Sequence, residues 1–173
     1  MIAHGVPAGL GSYAQWDRKL DGRLAQALMS IPAIKAVGFG LAADVGRMPG
    51  SRVHDEIVAG ETTGTLPGLG RPTNRAGGLE GGVTNGEDVR VTAWMKPIST
   101  LMKPLRSVDL NSMTEAPATI ERSDVCAVPA AGVVGEAMMA LVLAEAFLEK
   151  FAGDSVDEIR RNYQGYLDYL KSW

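Results

Sequence analysis

The chain has 173 residues, a length typical of one domain, and 46% of them are apolar, which excludes disorder over most of its length. Its formal net charge of −3 gives no general attraction to nucleic acids or membrane surfaces, so the sequence predicts neither as a partner. Cys126 is the only cysteine, which excludes an internal disulfide, and the first ten residues lack the features of a signal peptide, so we expect a cytoplasmic location.

The first forty residues predict a strand, a helix and a second strand. Residues 1–10 have the pattern of a short strand that ends in a turn rich in glycine and proline. Over residues 17–29, leucines recur at every fourth position, which is typical of the buried face of a helix. Pro32 should end this helix near Ser30, because proline lacks a backbone N–H and clashes with the preceding turn. Residues 34–40 then predict the second strand.

The middle of the chain combines a long irregular segment with a predicted β-hairpin. Residues 42–72 are rich in Gly, Pro and Thr and show little periodicity, and loops of this length are usually functional. Asn85-Gly86 is a strong signal for a two-residue turn, because both central positions of such a turn need a positive φ. Residues 79–84 should therefore pair with residues 87–95 as antiparallel strands.

The last third of the chain predicts an extended stretch at residues 118–121, followed by two helices. The first helix should begin at Val128 with Pro129 in its first turn. It is apolar around most of its circumference, so we expect it to be buried on several sides. Ser155 and Glu158 form a capping box that opens a second, amphipathic helix. Antiparallel strands with segregated helices predict an α+β fold.

Two glycine-rich stretches are candidate ligand loops. Residues 38–43 imitate the G-x-G-x-x-A dinucleotide fingerprint, but the glycines and proline that follow would break the required helix. A strand that continues into a flexible loop is the better interpretation. The run at residues 77–82 holds four glycines, which suit a backbone that approaches either a ligand or another backbone closely. The structural alternative is close packing of a strand on a helix, and spacing alone leaves both interpretations open.

Two polar clusters are candidates for anion binding. Lys96 to Thr100 follow a predicted strand, where an ammonium, two hydroxyls and backbone N–H groups can hold an anion, although an ordinary polar turn is the alternative. Arg122 and Asp124 precede the apolar helix. They form either a solvated helix cap or an arginine that binds an anion beside a carboxylate that can transfer a proton.

The remaining reactive side chains carry less information. His4 and His54 are too isolated for a metal site, so no metal is expected. Cys126 precedes an apolar helix and is interpreted as a buried core thiol. The residues by themselves therefore predict an anion-binding α+β domain.

Five sequence blocks, taken in order, resemble the C-terminal part of the chorismate synthase family. They are GVPAGLGS, ALMSIPAIK, TNRAGGLEGGVTNG, MKPIST and RSDVCAVPAAGVVGEAMMALVLAEAFLEKFAGDS, and they extend over essentially the whole chain. The resemblance implies a layered α+β sandwich of antiparallel sheet and buried helices, of which residues 1–173 would be a C-terminal, partial domain. It also implies assembly as a homotetramer.

The same resemblance implies an activity. The family converts 5-enolpyruvylshikimate-3-phosphate to chorismate and phosphate, the last step of the shikimate pathway, by a 1,4-anti elimination that requires reduced FMN. Either NADPH or an outside reductase would keep the flavin reduced. Arg122 and Asp124 match the family's R-x-D motif and would be the catalytic residues, with Asp124 handling a proton. The flavin-contacting positions would be Pro32, Ala33, Gly81, Lys96, Pro97, Ile98, Ser99, Thr100 and Arg122.

The chain also departs from the family pattern. It lacks the G-E-S-H-G-type and G-G-G-R-S-S-A-R-E-T-type blocks that hold the family's catalytic histidines, and Gly38 stands where the family usually has a glutamate. Three hypotheses follow from these departures. The chain is part of an enzyme, a non-catalytic flavin-binding or oligomerisation remnant, or a fragment that does not fold stably by itself.

Overall fold

The computed structural model describes residues 1–121 and 125–172. Its helices are α1 (Leu20–Met29), α2 (Val128–Phe151) and α3 (Val156–Lys171). Its strands are β1 (Ile2–Ala3), β2 (Ile34–Phe39), β3 (Val58–Ala59), β4 (Leu69–Gly70), β5 (Leu79–Glu80), β6 (Val83–Thr84), β7 (Val89–Met95), β8 (Arg106–Asp109) and β9 (Thr114–Pro117). Short 3-10 turns lie at Trp16–Arg18, Ala42–Arg47 and Gly50–Arg52. All strand pairs are antiparallel, which agrees with the predicted α+β class.

A row of three leucines on α1 forms the centre of the core. Leu20, Leu24 and Leu28 each have 0% exposed surface, as their helical spacing predicts. The helix begins three residues later than predicted, because the preceding residues form a 3-10 turn and Lys19 is extended. It ends at Met29, with the next residue as its C-cap, as the nearby proline predicts.

β7 is the middle strand of the central sheet, with β1 on one side and β2 on the other. Along β7, buried Val89 and Val91 alternate with exposed Arg90 and Thr92, which confirms the predicted half-buried strand. The two valines lie in the same apolar cluster as the α1 leucines. The core therefore lies between α1 and one face of this three-stranded sheet.

The predicted Asn85-Gly86 hairpin is wrong. β5 pairs instead with β6, and the intervening Gly81 and Gly82 have φ angles of +63° and +91°. Positive φ at both central residues is what a tight hairpin turn requires, and Asn85 does not adopt it. The backbone N–H of Asn85 donates to the Gly78 carbonyl at 3.0 Å, so the chain passes on into β7 without turning back. Residues 79–84 are therefore not paired with residues 87–95.

The extended stretch predicted at residues 118–121 is also misplaced. β9 ends at Pro117 and pairs with β8, from Arg106 opposite Pro117 to Asp109 opposite Thr114. The RSVD strand has no alternation of apolar and polar residues, and all four of its residues are exposed. The periodicity that identifies half-buried strands is therefore absent from β8.

The segment at residues 42–72 is mostly irregular, as predicted. It contains two 3-10 turns and the short pair of β3 with β4. β2 ends at Phe39 and only a 3-10 turn follows, which agrees with the rejection of a dinucleotide fingerprint. The functional role expected of this segment stays a prediction.

α2 begins where predicted, but the expectation of burial on several sides is wrong within this chain. Only Gly135, Met139, Ala146 and Phe151 are buried, because its packing partners α1 and α3 cover one side. By length and composition α2 could also cross a membrane, a property that it shares with core helices of other proteins. Cys126, just before α2, is exposed, so the interpretation as a core thiol is wrong as well.

α3 is capped and packed as the sequence predicts. The Ser155 hydroxyl oxygen accepts a hydrogen bond from the Glu158 backbone N–H at 3.3 Å, and the Glu158 carboxylate accepts one from the Asp154 N–H at 2.8 Å. The ring of Tyr163 lies 5.0 Å from the ring of Phe151, which fixes α3 against the end of α2.

We predict that Leu24→Ala lowers the free energy of unfolding by about 2–5 kcal/mol, because it removes a fully buried side chain and leaves a cavity. Gln26→Ala, at an exposed position of the same helix, should change it by less than about 0.5 kcal/mol. Urea denaturation followed by circular dichroism measures both. Equal effects of the two substitutions would contradict the assignment of the core.

Candidate functional site

The turn after α1 and the loop after β7 meet at one end of the central sheet. The backbone N–H of Lys96 donates a hydrogen bond to the Ala33 carbonyl at 2.8 Å. This bond continues the pairing of β2 with β7, in which Ile34 lies opposite Met95. Pro32 and Ala33 therefore lie beside the start of the loop that Lys96 begins. The structure thus brings together two predicted flavin-contacting segments that are far apart in the sequence.

Ala33 is held in an uncommon backbone conformation. Its φ is +69°, in the left-handed region that favours glycine and costs other residues about 1–2 kcal/mol. The turn persists because the Lys96 N–H holds the Ala33 carbonyl and the Ile34 N–H donates to the Ile31 carbonyl at 3.2 Å. Strained backbone of this kind concentrates at functional sites, which supports a role for this turn.

The loop at residues 96–100 presents polar groups at the surface. Lys96, Pro97 and Ser99 are exposed, whereas Ile98 and Thr100 are half-buried. An exposed ammonium beside a hydroxyl can bind an anion such as a phosphate. Ile98 and Thr100 face the protein more than the solvent, so they help to fix the shape of the loop.

The first two glycines of the 77–82 run serve close packing of backbone on backbone. A Cβ atom on Gly77 would collide with the backbone of Gly40, and one on Gly78 would collide with the carbonyl of Asp88. Both residues also have positive φ angles, of +70° and +79°. At these two positions the predicted close approach to another backbone is confirmed, whereas the alternative, packing of a strand on a helix, is not what the contacts show.

Gly81 differs from its neighbours because it faces open space. It is exposed, and a Cβ added to it would meet nothing within 4 Å. The next carbonyl, that of Gly82, accepts a hydrogen bond from the Leu20 N–H at the start of α1. Ala33 follows the other end of that helix, which has ten residues and is about 15 Å long. Gly81 and the Lys96 loop therefore lie at opposite ends of α1 and are not in contact.

Asp55 holds the irregular segment against the turn before the glycine run. Its carboxylate accepts hydrogen bonds from the Thr73 hydroxyl at 2.6 Å and from the backbone N–H groups of Arg75 at 2.8 Å and Ala76 at 2.9 Å. Burial alone would raise the pKa of this carboxyl, but the three hydrogen bonds and the charge of Arg71 together hold it below its ordinary value. The turn is therefore clamped by an ionised side chain.

A basic hollow of about 440 Å³ lies next to this clamp and was not predicted from the sequence. Arg71, Arg75 and Arg90 line it, and no spacing motif links them. Two of the three are already paired: Arg71 lies 2.8 Å from Glu80 and Arg90 lies 3.5 Å from Asp88. The Arg75 guanidinium donates to the His54 carbonyl at 3.4 Å. The arrangement is best described as an ion-pair network that stiffens the turn.

The predicted catalytic residues Arg122 and Asp124 lie outside the described residues. The nearest described positions are Glu121 and Val125, and both are exposed. The assignment of the R-x-D motif therefore stays a prediction.

Comparison with known proteins decides the family. The family model for chorismate synthase matches residues 1–148. The chain belongs to the chorismate synthase family. The chorismate synthase of Geobacter sulfurreducens is 60% identical over an alignment of 176 positions, which covers 100% of this chain and 45% of that protein. The chorismate synthase of Salinispora tropica is 61% identical over 170 residues, 98% of this chain and 42% of that protein.

A solved structure, the crystal structure of a chorismate synthase, confirms the fold. It superposes with a TM-score of 0.79 at 44% identity, over 99% of this chain and 43% of that chain. The resemblance drawn from the five sequence blocks and the α+β class are therefore both confirmed. The chain spans less than half the length of the curated chorismate synthases that it matches.

We predict that Ala33→Gly raises the free energy of unfolding by up to about 1 kcal/mol, because glycine removes the left-handed strain. Ala27→Gly inside α1 should lower it by about 0.5–1 kcal/mol, because glycine costs entropy in a regular helix. Chemical denaturation of both variants measures whether each substitution raises or lowers the free energy of unfolding. Destabilisation by both substitutions would show that Ala33 is not strained in solution.

The clamp gives a prediction on pH. The pKa of Asp55 in the folded protein lies below its ordinary value of 3.8. The stability that its ionised carboxylate contributes is therefore present above pH 3.8 and is lost as the pH falls through the folded pKa. Asp55→Asn should lower the free energy of unfolding by about 1 kcal/mol at neutral pH, and the difference from wild type should shrink in acid. Thermal melts from pH 7 to pH 3 measure this. Asp44→Asn, at an exposed position of the same segment, is the control. It should leave the free energy of unfolding unchanged at neutral pH.

Proposed function

We propose that this chain supplies the flavin-phosphate side of a chorismate synthase, which converts 5-enolpyruvylshikimate-3-phosphate to chorismate and phosphate. The observation that carries the proposal is the 2.8 Å hydrogen bond from Lys96 to Ala33, because it joins two segments that the family motif assigns to flavin. Family membership supports the reaction type. Since the chain spans 45% of the Geobacter sulfurreducens relative, complete activity requires the rest of the domain.

The residues at the end of the central sheet fit the phosphate of FMN. Lys96 offers an exposed ammonium, Ser99 an exposed hydroxyl, and the non-helical loop offers backbone N–H groups. At the other end of α1, Gly81 presents backbone without a side chain, which suits the approach of a flat ring. Reduced FMN, when bound, supplies the transient electron density that helps to expel phosphate.

The proposed reaction removes a ring proton and breaks a carbon–oxygen bond to phosphate, with no net change of oxidation state. Lys96 binds and orients the cofactor. Arg122 holds an anionic group, as the fork of a guanidinium allows, and Asp124 accepts the ring proton. The roles of Arg122 and Asp124 are supported by the R-x-D motif of the family.

The cellular setting is part of the same proposal. The family resemblance supports a homotetramer whose flavin is reduced either by NADPH or by an outside reductase, and we place this protein in the cytoplasm. The single exposed cysteine fits a reducing compartment.

A second candidate function is a non-catalytic flavin-binding or oligomerisation remnant of the family. The observation that favours it is that this chain lacks the histidine blocks of the family and spans only 42–45% of the length of the relatives. Flavin binding without turnover would distinguish this candidate from an enzyme.

We predict that this chain, mixed with the remaining portion of the Geobacter sulfurreducens relative, binds reduced FMN and releases phosphate from 5-enolpyruvylshikimate-3-phosphate. Lys96→Ala should weaken FMN binding about tenfold, because one charge-assisted hydrogen bond is lost. Anaerobic flavin titration and a phosphate assay measure the two properties.

Lys103→Ala is the matched control, because Lys103 is an exposed lysine a few positions further along. It should leave the FMN affinity unchanged. FMN binding without phosphate release would favour the remnant. Equal FMN affinity of the Lys96→Ala and Lys103→Ala variants would refute the phosphate cradle.

A further inference from the structure

Lys19 lies across the glycine turn that joins β5 to β6. A Cβ atom added to Gly82 would stand 2.7 Å from both Cβ and Cγ of Lys19 and 2.9 Å from its Cε. The methylene stem of the lysine therefore occupies the space that a side chain at position 82 would fill. The Leu20 N–H donates to the Gly82 carbonyl at 2.9 Å, so the two backbones that meet here are fixed to each other.

This packing brings the charged end of Lys19 close to Gly81. The ammonium is bonded to Cε, and Cε lies beside Gly82, so the charge lies within a few ångströms of the turn. Gly81 is the next residue of the turn and is exposed, and a Cβ added to it would meet nothing within 4 Å. Lys19 is half-buried, because its stem is covered while its head reaches toward solvent. A positive charge therefore borders the open backbone of Gly81.

The ammonium of Lys19 has no anionic partner within the described part of the chain. Neighbouring charges are already paired, since Arg18 pairs with Glu149, and Arg71 pairs with Glu80 at 2.8 Å. Fixing a lysine stem by packing costs rotamer entropy, and here no internal ion pair offsets that cost. This arrangement suits an anion that binds from outside the chain.

The backbone of the turn offers a hydrogen-bond donor to the same ligand. Gly81 has a φ of +63°, and its N–H donates to no acceptor among the described residues. An ammonium beside a backbone N–H that has no acceptor can hold an anionic oxygen or a ring nitrogen that carries negative charge. Because glycine has no side chain, a flat ring can approach both groups.

The distance from this turn to the lysine loop indicates which part of the cofactor reaches Lys19. Gly81 lies at the start of α1 and Lys96 at its end, about 15 Å apart. An FMN molecule with an extended ribityl chain has a comparable length, with the phosphate at one end and the flavin ring at the other. With its phosphate at Lys96, the cofactor has its ring at the glycine turn. The negative charge of a reduced flavin is concentrated at N1 and the adjacent C2 carbonyl, where a nearby cation tunes the ring.

We propose that Lys19 is a flavin-binding residue whose ammonium neutralises the negative charge at N1 and the C2 carbonyl of the reduced ring beside Gly81. The inference rests on the proposed function, because it names a further residue at the same cofactor site. It gives Lys19 a specific task, which is to favour reduced over oxidised FMN. The elimination requires the reduced form, since only that form supplies electron density.

Lys19→Met tests the charge, because methionine keeps most of the methylene stem on Gly82 and removes only the ammonium. The variant chain is mixed with the remaining portion of the Geobacter sulfurreducens relative, and anaerobic titration measures the affinities for oxidised and reduced FMN. We expect binding of reduced FMN to weaken at least about tenfold and binding of oxidised FMN to change less than about twofold. Lys19→Arg should retain the preference for reduced FMN. Lys103→Met, at an exposed lysine beyond the loop at residues 96–100, should change neither affinity.

The absorption spectrum of the bound reduced flavin gives a second readout, because its protonated and anionic forms absorb differently. In Lys19→Met, N1 should lose its proton at a higher pH than in the unmutated chain, since the cation that favours the anionic form is gone. The thermal melt of the variant should stay the same, because the stem that packs on Gly82 is retained.

Three outcomes would contradict the inference. Equal weakening of both redox forms would overturn it, because a loss of packing has no preference for reduced flavin. It is also overturned if Lys96→Ala weakens FMN binding while Lys19→Met changes neither affinity, a result that would leave the proposed function standing. Failure of the unmutated mixture to bind FMN would overturn both.

Discussion

The contact between the leucine face of α1 and the central sheet determines the position of every described candidate site segment. The start of α1 is tied to the glycine turn through the hydrogen bond from Leu20 to Gly82, and its end leads into the turn whose Ala33 carbonyl holds Lys96. α1 is therefore a spacer of about 15 Å between the open backbone of Gly81 and the lysine loop. Its buried leucines keep that spacing fixed because any rotation of the helix would expose them.

The same molecule is well packed on one side and open on the other. α1, the central sheet and the turn clamped by Asp55 satisfy their polar groups internally, with the clamp and the Arg71–Glu80 ion pair as examples. α2 instead leaves most of its apolar circumference in solvent, which costs free energy that no contact within the described residues recovers. The matched relatives are more than twice as long as this chain.

These two properties together shape the functional proposal. The fold holds the proposed flavin contacts, which are the lysine loop, the strained turn and the glycine turn, in fixed relation to one another. Binding alone does not perform an elimination, because the proton acceptor and the groups that hold the substrate must converge on the same ring. In the proposed function, Arg122 and Asp124, which match the R-x-D motif of the family, serve this purpose.

The sequence by itself determined the local elements: the leucine spacing of α1, the stop before Pro32, the alternation in β7 and the cap at Ser155 all depend on neighbours within a few positions. Its five ordered blocks also determined the family. Local signals failed where contacts between residues distant in the sequence decided the structure. Asn85-Gly86 is an example, because the hairpin turn is formed by the glycines four positions earlier. The meeting of Ala33 with Lys96 exists only because β2 pairs with β7, and Asp55 reaches Arg75 only through the folded loop. Whether α2 is buried was decided by tertiary structure alone, since an apolar helix buries only those faces that another element covers.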